Sequence, residues 1–269
     1  MKSISSRDNP LYKELKRLAD NGVVRRQSRR SVLDGIHLAQ AYLQHVGLPL
    51  QCVVSDSAIQ HPEVAPLLAR CQQGASSTCS CVLLTDVLFR SLSQVMHGVG
   101  LLFVIEVPAP IVPVRLTRSA VLLDRLQDPG NLGSILRSAA AAGIPDVYCG
   151  SGTAHAWSPK VLRAAMGAHF QLTIFEQVDL TALAAQATVP LLATSSHAPQ
   201  SIHDADLAQP LAWLFGHEGQ GVSSTLLQLA SRQLAIPQRP GVESLNVAAA
   251  AAVCFFEQAR QQYLASAAR

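Results

Sequence analysis

The sequence predicts an α/β protein of two domains, the second built on a mostly parallel sheet covered on both faces. Three observations lead there. The 269 residues exceed one typical domain and divide naturally into two of roughly 100 to 150 residues. Pro108, Pro110 and Pro113, crowded into VPAPIVPVR, stiffen the chain and interrupt helix and central strand alike. They place a linker at 108–118, between domains at 1–107 and 119–269. Beyond the linker, short apolar runs alternate with helical periodicity, the pattern of parallel strands joined by crossover helices.

Taken in order, Leu11, Leu15 and Leu18 repeat at i, i+4 and i+7 and predict an amphipathic helix. After RRQSRR, a second helical pattern spans Leu33 to His45. QCVVS reads as a strand, the stretch from Pro62 to Cys71 as a helix, CVLLT as a strand, Asp86 to Ser93 as a helix and GLLFVIEV as a strand, which makes the first domain a smaller α/β unit. In the second domain the strands are AVLLD, DVYCG, QLTIF, PLLATS, LAWLF and QLAIP. Helices are expected from about Asn131, through KVLRAAMGA, near Leu180 and over the C-terminal stretch.

Composition narrows the function classes. With 49% hydrophobic and 14% charged residues the chain is not disordered, and no apolar run reaches the roughly 20 residues of a membrane span. The N-terminus, MKSISSRDNPLYKELKRL, has no apolar core followed by a cleavage site, so a cytoplasmic location is expected. Cysteines 52, 71, 79, 81, 149 and 254 are scattered and expected reduced. The single-residue gap of CSC, with no second pair to complete four ligands, gives no metal site. Residues 1–30 carry nine Lys or Arg against Asp8, Glu14 and Asp20, a net of +6, while the remainder of the chain is −3. An anionic partner fits that end, although a solvated helix face accounts for the charge equally well.

Three segments place Gly, Pro and polar residues just after a strand, where open α/β sheets bind ligands. In LLDRLQDPGNLGSILRSAAAAG a strand ends at Asp124, Gly130 gives the turn backbone freedom, and Asn131 caps a helix that carries Arg137 about two turns in. WLFGHEGQGVS holds Gly216, Gly219 and Gly221 in one loop, yet it is neither a GxGxxG fingerprint, a P-loop nor a GxSxG elbow. GSGTAH at Gly150 lacks the third glycine and reads as a turn. LAIPQRPGVESLNVAAAAAVCFFEQARQ leads from a strand through a Pro- and Gly-containing loop to a helix, with Ser244 and Asn246 at the helix entrance. Read singly, Asp128, Asn131 and Ser244 are explained as turn and cap residues and Asn246 as a surface polar group.

In that order and near that spacing, the three segments resemble the three motifs of the SpoU (TrmH-type) methyltransferases of the SPOUT superfamily, over residues 120 to 262. The resemblance implies a deep C-terminal trefoil knot, S-adenosylmethionine as cofactor, a homodimer formed through this domain, and RNA 2′-O-ribose methylation without a metal. ISSRDNPLYKELKRL and VLDGIHLAQAYL resemble the ribosomal-protein-like substrate-binding domain that precedes it in rRNA-directed members. RNA contacts are therefore expected from Arg7, Lys13, Arg25, Arg26, Arg29 and Arg30.

Carried onto matching positions, the family's catalytic roles fall on Arg137, Asn131, Glu218, Ser244 and Asn246. Its cofactor contacts fall on Leu214, Gly216, Glu218, Ile236, Leu245 and Asn246. A guanidinium stays protonated to a pKa above about 12, so Arg137 is expected to orient the target's phosphate rather than take a proton. Large-subunit rRNA is the expected substrate, with tRNA the alternative. A non-catalytic RNA-binding protein of the same fold and a nucleotide-dependent oxidoreductase are the competing classes, which titration with S-adenosylmethionine and NAD separates.

Overall fold

Asn9 opens the first helix because its side-chain oxygen accepts the Leu11 N–H at 3.0 Å and Pro10 presets the first helical φ. In the computed structural model, which describes residues 1–73, 79–95, 98–195, 198–239, 241 and 244–267, the chain forms two compact units. The first comprises Met1–Pro108 together with Trp157–Phe170. Its elements are β1 (Lys2–Ile4), α1 (Pro10–Asp20), α2 (Gly22–Ser28), β2 (Arg30–Asp34), α3 (Ile36–His45), β3 (Gln51–Ser55), α4 (Val64–Gln72), β4 (Ser80–Leu84), α5 (Asp86–Leu92) and β5 (Leu101–Glu106). The sheet order is β1-β4-β3-β5-β2, with β5 antiparallel to both neighbours. Leu15 and Leu18 of the expected stripe are buried against this sheet, with Leu11 packed at their margin.

One expected helix is corrected here. Leu33 lies in β2, not in a helix from Leu33 to His45, because RSVLD pairs with β5 and Gly35 turns the chain at φ 111 before α3 starts. The RRQSRR stretch contributes to α2, whose Arg25 is buried. From there Arg25 Nη1 donates to Leu18 O at 2.6 Å and Ala19 O at 2.9 Å, supplying a partner to carbonyls of the last turn of α1.

The second unit, Ala109–Ala156 with Gln171–Arg269, is not one continuous stretch. It contains β6 (Ala120–Asp124), α6 (Pro129–Ala141) and β7 (Asp146–Gly150). The chain then passes through α7 (Pro159–Ala165), which belongs to the first unit. It continues with β8 (Thr173–Val178), α8 (Leu180–Ala185), β9 (Leu191–Thr194), β10 (Gln200–Ser201), β11 (Ala212–Gly216), α9 (Ser224–Leu229), β12 (Arg232–Ala235) and α10 (Val247–Ala267). Every neighbouring pair in the order β10-β12-β9-β11-β6-β7-β8 is parallel.

Alternation along the central strands serves two cores. Leu122, Leu214 and Tyr148 face a cluster closed by α8 and α9, whereas Trp213 and Phe215 turn to the opposite face. There Phe215 meets Phe255 of α10 edge-on at 5.7 Å, and Trp213 Nε1 donates to Gln258 Oε1 at 2.8 Å, so the buried indole keeps a partner. Both faces of the parallel sheet are therefore covered, as its continuous apolar strands require. No described helix is long and apolar enough to cross a membrane.

Candidate active site

Strand register decides where the chemistry sits. Asp124, the last residue of β6, pairs with Gly216, the last of β11, so the loops that follow leave the sheet side by side. From β6 the chain runs to β7 and β8 on one side, while β11, β9 and β12 lie on the other. The crevice between β6 and β11 is thus a topological switch point, the favoured ligand position of an open α/β sheet. Asp124 Oδ2 ties the two loops together by accepting the Ser223 N–H at 2.7 Å.

The loop after β11 is a tight closure. His217 N donates to Gly221 O at 3.0 Å and Gly221 N to His217 O at 2.8 Å, while His217 Nδ1 accepts from the N–H groups of Gly219 and Gln220. A Cβ on Gly216 would overlap the backbone of Gly221 and Val222, so glycine is needed there for close approach; Gly221 itself takes φ 70.

At the start of α6 the structure corrects two details. The cap is Asp128, whose Oδ1 accepts the Asn131 N–H at 2.7 Å; Asn131 lies inside the first turn. Gly130 is helical rather than left-handed, and its missing side chain makes room for the cap, since a Cβ would stand 2.9 Å from Asp128 Oδ1.

That arrangement frees the Asn131 side chain to bridge the three segments. Its Nδ2 donates to Glu218 Oε1 at 3.1 Å, and its oxygen accepts Asn246 Nδ2 at 2.9 Å. Asn246 Oδ1 in turn accepts the N–H groups of Ala248 and Ala249, making Asn246 the cap of α10, a role that Ser244 was one candidate for. Glu218 also receives Asp128 N at 3.0 Å and Gln127 N at 3.2 Å. Burial pushes its carboxyl up, but the hydrogen bonds from Asp128, Asn131 and Gln127 outweigh that and leave it below the ordinary carboxylate range. Glu218 is thus an ionised acceptor facing donors from the first segment, and each amide in the chain has one consistent orientation.

Beside this network lies a cavity of about 290 Å³, at the lower edge of the roughly 300 to 1,000 Å³ of small-molecule sites. Gly216, Glu218, Ile236, Ser244 and Leu245 line it, as do Thr194, Phe215, His217, Gln238, Val247 and Ala250. The lining suits a ligand with a polar head and an apolar body. Gln238 Oε1 is buried with no partner among the described residues, which leaves an acceptor for a donor on the ligand.

The expected site residues divide into groups. Asn131, Glu218 and Asn246 are joined at the cavity's rim, and Gly216, Ile236, Ser244 and Leu245 line it; Leu214 is buried inside β11 and does not. Arg137 is exposed on α6 and lines no part of the cavity. Pro240, Val242 and Glu243 of the third segment lie outside the described residues. Thr194, His217 and Gln238 were missed as site residues, although Thr194 ends a predicted strand and His217 and Gln238 lie in the second and third segments. In the first unit Arg7, Lys13, Arg26 and Arg29 are exposed, Lys13 paired with Asp8 at 3.0 Å and Arg30 with Glu14 at 2.8 Å. Arg25 leaves the set of expected RNA-facing cations because its guanidinium is committed to α1. Among the described residues no three His, Cys, Asp or Glu groups are arranged to hold a metal ion.

Comparison with known proteins agrees with this geometry. Residues 118–256 match the family model described as the SpoU rRNA methylase family, just over half of the chain. An uncharacterized tRNA/rRNA methyltransferase of Synechocystis sp. is 36% identical over 98% of this chain and 96% of its own length. The 23S rRNA (guanosine(2553)-2′-O)-methyltransferase RlmP of Bacillus subtilis is 29% identical over 95% of this chain and 98% of its own. A crystal structure of an RNA 2′-O ribose methyltransferase superposes with a TM-score of 0.80 at 29% identity, covering 97% of this chain and 99% of that one.

Proposed function

The chain belongs to the SpoU rRNA methylase family, and from that premise we propose that it transfers the methyl group of S-adenosylmethionine to a ribose 2′-hydroxyl of large-subunit ribosomal RNA. The observation that carries the reading is the hydrogen-bonded chain Glu218, Asn131, Asn246, which joins the three motif segments at the mouth of one cavity. Ribosomal rather than transfer RNA is favoured because the Bacillus subtilis relative, aligned over nearly the whole chain, is named for 23S rRNA.

The sulfonium cofactor supplies an electrophilic methyl group. The backbones of Gly216, Ile236 and Leu245 and the unpaired Gln238 oxygen would hold its polar groups, with Val247 and Ala250 packing its apolar surface. Glu218, ionised and acceptor-only, fixes Asn131, and Asn131 fixes Asn246, so the rim is set before substrate arrives. Arg137 grips the target nucleotide's phosphate through its planar fork and orients the hydroxyl. Ser244, exposed at the cavity, can accept a hydrogen bond from that hydroxyl, and the proton passes to water.

Arg7, Lys13, Arg26, Arg29 and Arg30 of the N-terminal domain contact RNA phosphates. The C-terminal domain carries a trefoil knot, the fold that membership of the SpoU family implies. It pairs with a second copy in the cytoplasm through α10, whose Val253, Phe256, Tyr263 and Leu264 are exposed. Calorimetric titration with S-adenosylmethionine, with NAD as control, tests the reading: saturable binding of the former alone is expected, and binding of NAD alone or of neither overturns it.

A further inference from the structure

We infer that Arg125 binds a phosphate of the incoming RNA at the rim of this site, an inference that rests on the methyltransferase reading above. Four described non-glycine residues have positive φ: Arg29, Arg125, Met166 and Gln177. Arg29 and Met166 end α2 and α7, where the left-handed conformation is an ordinary way to stop a helix. Gln177 lies where the β7–β8 register shifts. Arg125, at φ 58, instead follows directly on Asp124 at the active-site end of β6. Glycine suits that backbone better than any L residue, so the position keeps a long side chain against the preference of its own φ.

The surroundings fit the side chain. Across from it Gly152 has φ 86, and a Cβ there would stand 3.3 Å from Arg125 Cγ, so the loop after β7 leaves room for the stem. Arg125 Nε donates to Asp124 Oδ1 at 3.2 Å and Nη1 to Gln220 Oε1 at 3.4 Å, which suspends the guanidinium between the first and second motif loops. Nη2 has no partner among the described residues, and the side chain is 40% exposed. Nη2 of a guanidinium held on both sides is therefore open, a charged donor placed to reach a phosphate oxygen.

Charge points the same way. Asp124, Asp128 and Glu218 surround this entrance, an unfavourable set of neighbours for a polyanion. Arg125 offsets them at the point where RNA must approach Asn131 and the cavity. It does not touch the cavity itself, so its part concerns the RNA and not the cofactor.

The test uses the full chain, an unmodified large-subunit rRNA transcript and S-adenosylmethionine, with Arg125→Gly, Arg125→Ala and Arg125→Lys. The glycine variant suits the backbone and guards against a simple folding defect. Gly and Ala are expected to raise KM for RNA about tenfold with kcat within about twofold. The dependence of log RNA affinity on log salt should become shallower by about one phosphate contact. Lys restores the salt dependence but not the full affinity, because it lacks the planar fork. Unchanged RNA affinity and salt dependence in Arg125→Gly overturn the inference, as does a loss of cofactor affinity equal to the loss of RNA affinity. RNA binding measured without cofactor decides on Arg125 even if the wild-type chain fails to bind S-adenosylmethionine, a failure that strikes the methyltransferase reading instead.

Discussion

Replacing Glu218 with glutamine changes one charge and one acceptor at the junction of the three motif segments. The carboxylate accepts three donors: Asp128 N and Asn131 Nδ2 on one oxygen, Gln127 N on the other. Glutamine offers one oxygen, so at least one donor faces an NH₂ group. Hydrogen bonds to a charged acceptor contribute about 1.5–3 kcal/mol each, and solvent at this exposed site reduces the loss to about 1–2 kcal/mol. If the network preorganises the cavity, the Kd for S-adenosylmethionine rises about 5- to 30-fold.

The pH dependence supplies a second readout. The folded carboxyl lies below the unfolded value near about 4.3, so the folded state holds fewer protons and stability rises with pH through that window. The wild-type advantage should be complete above the unfolded value and vanish as pH falls through the folded one. Urea unfolding of both proteins at pH 7 and near pH 3, with calorimetry at pH 7, measures it. Equal unfolding free energies and equal cofactor affinities at pH 7 would refute the reasoning.

Gly216→Ala should open the His217–Gly221 closure, because the added methyl meets backbone on the facing strand of the loop. A destabilisation of about 1–3 kcal/mol in chemical unfolding and a loss of cofactor binding in calorimetry are expected. For Arg137→Ala and Arg137→Lys, methyl-transfer rates should fall well below wild type while cofactor affinity holds; full activity of the lysine variant would exclude bidentate phosphate orientation. Phe256→Glu places a charge on the exposed face of α10. Light scattering should report a dimer for the wild type and a monomer for this variant.

Much of the second unit was legible because its strands are short apolar runs that can only be buried. AVLLD, DVYCG and LAWLF all became central parallel strands. The first unit was harder. RSVLD carries the same apolar residues as a helix face, and only its pairing with β5 makes it a strand, a long-range contact that periodicity does not encode. Arg25 illustrates the same limit: nothing in a basic run distinguishes the arginine folded back onto α1 from its exposed neighbours.

At the site, residue types were legible and their division of labour was not. Asp128 and Asn131 are both good cap formers three residues apart, and the fold uses Asp128 for the cap so that Asn131 can reach Glu218 and Asn246. Gln238 lies in the third segment, but its residue type did not mark it out from its loop neighbours; only its buried, unpaired oxygen does.

The central claim is tested most directly by the position of the transferred methyl group. Purified protein would be incubated with S-adenosylmethionine carrying a deuterated methyl and an unmodified large-subunit rRNA transcript, and the RNA digested to nucleosides for mass spectrometry. A labelled 2′-O-methylnucleoside, protected from alkaline cleavage at its 3′ side, is predicted, and its yield at subsaturating cofactor should fall in Glu218→Ala. Label on a base, or no label from a protein that binds the cofactor, would contradict the account.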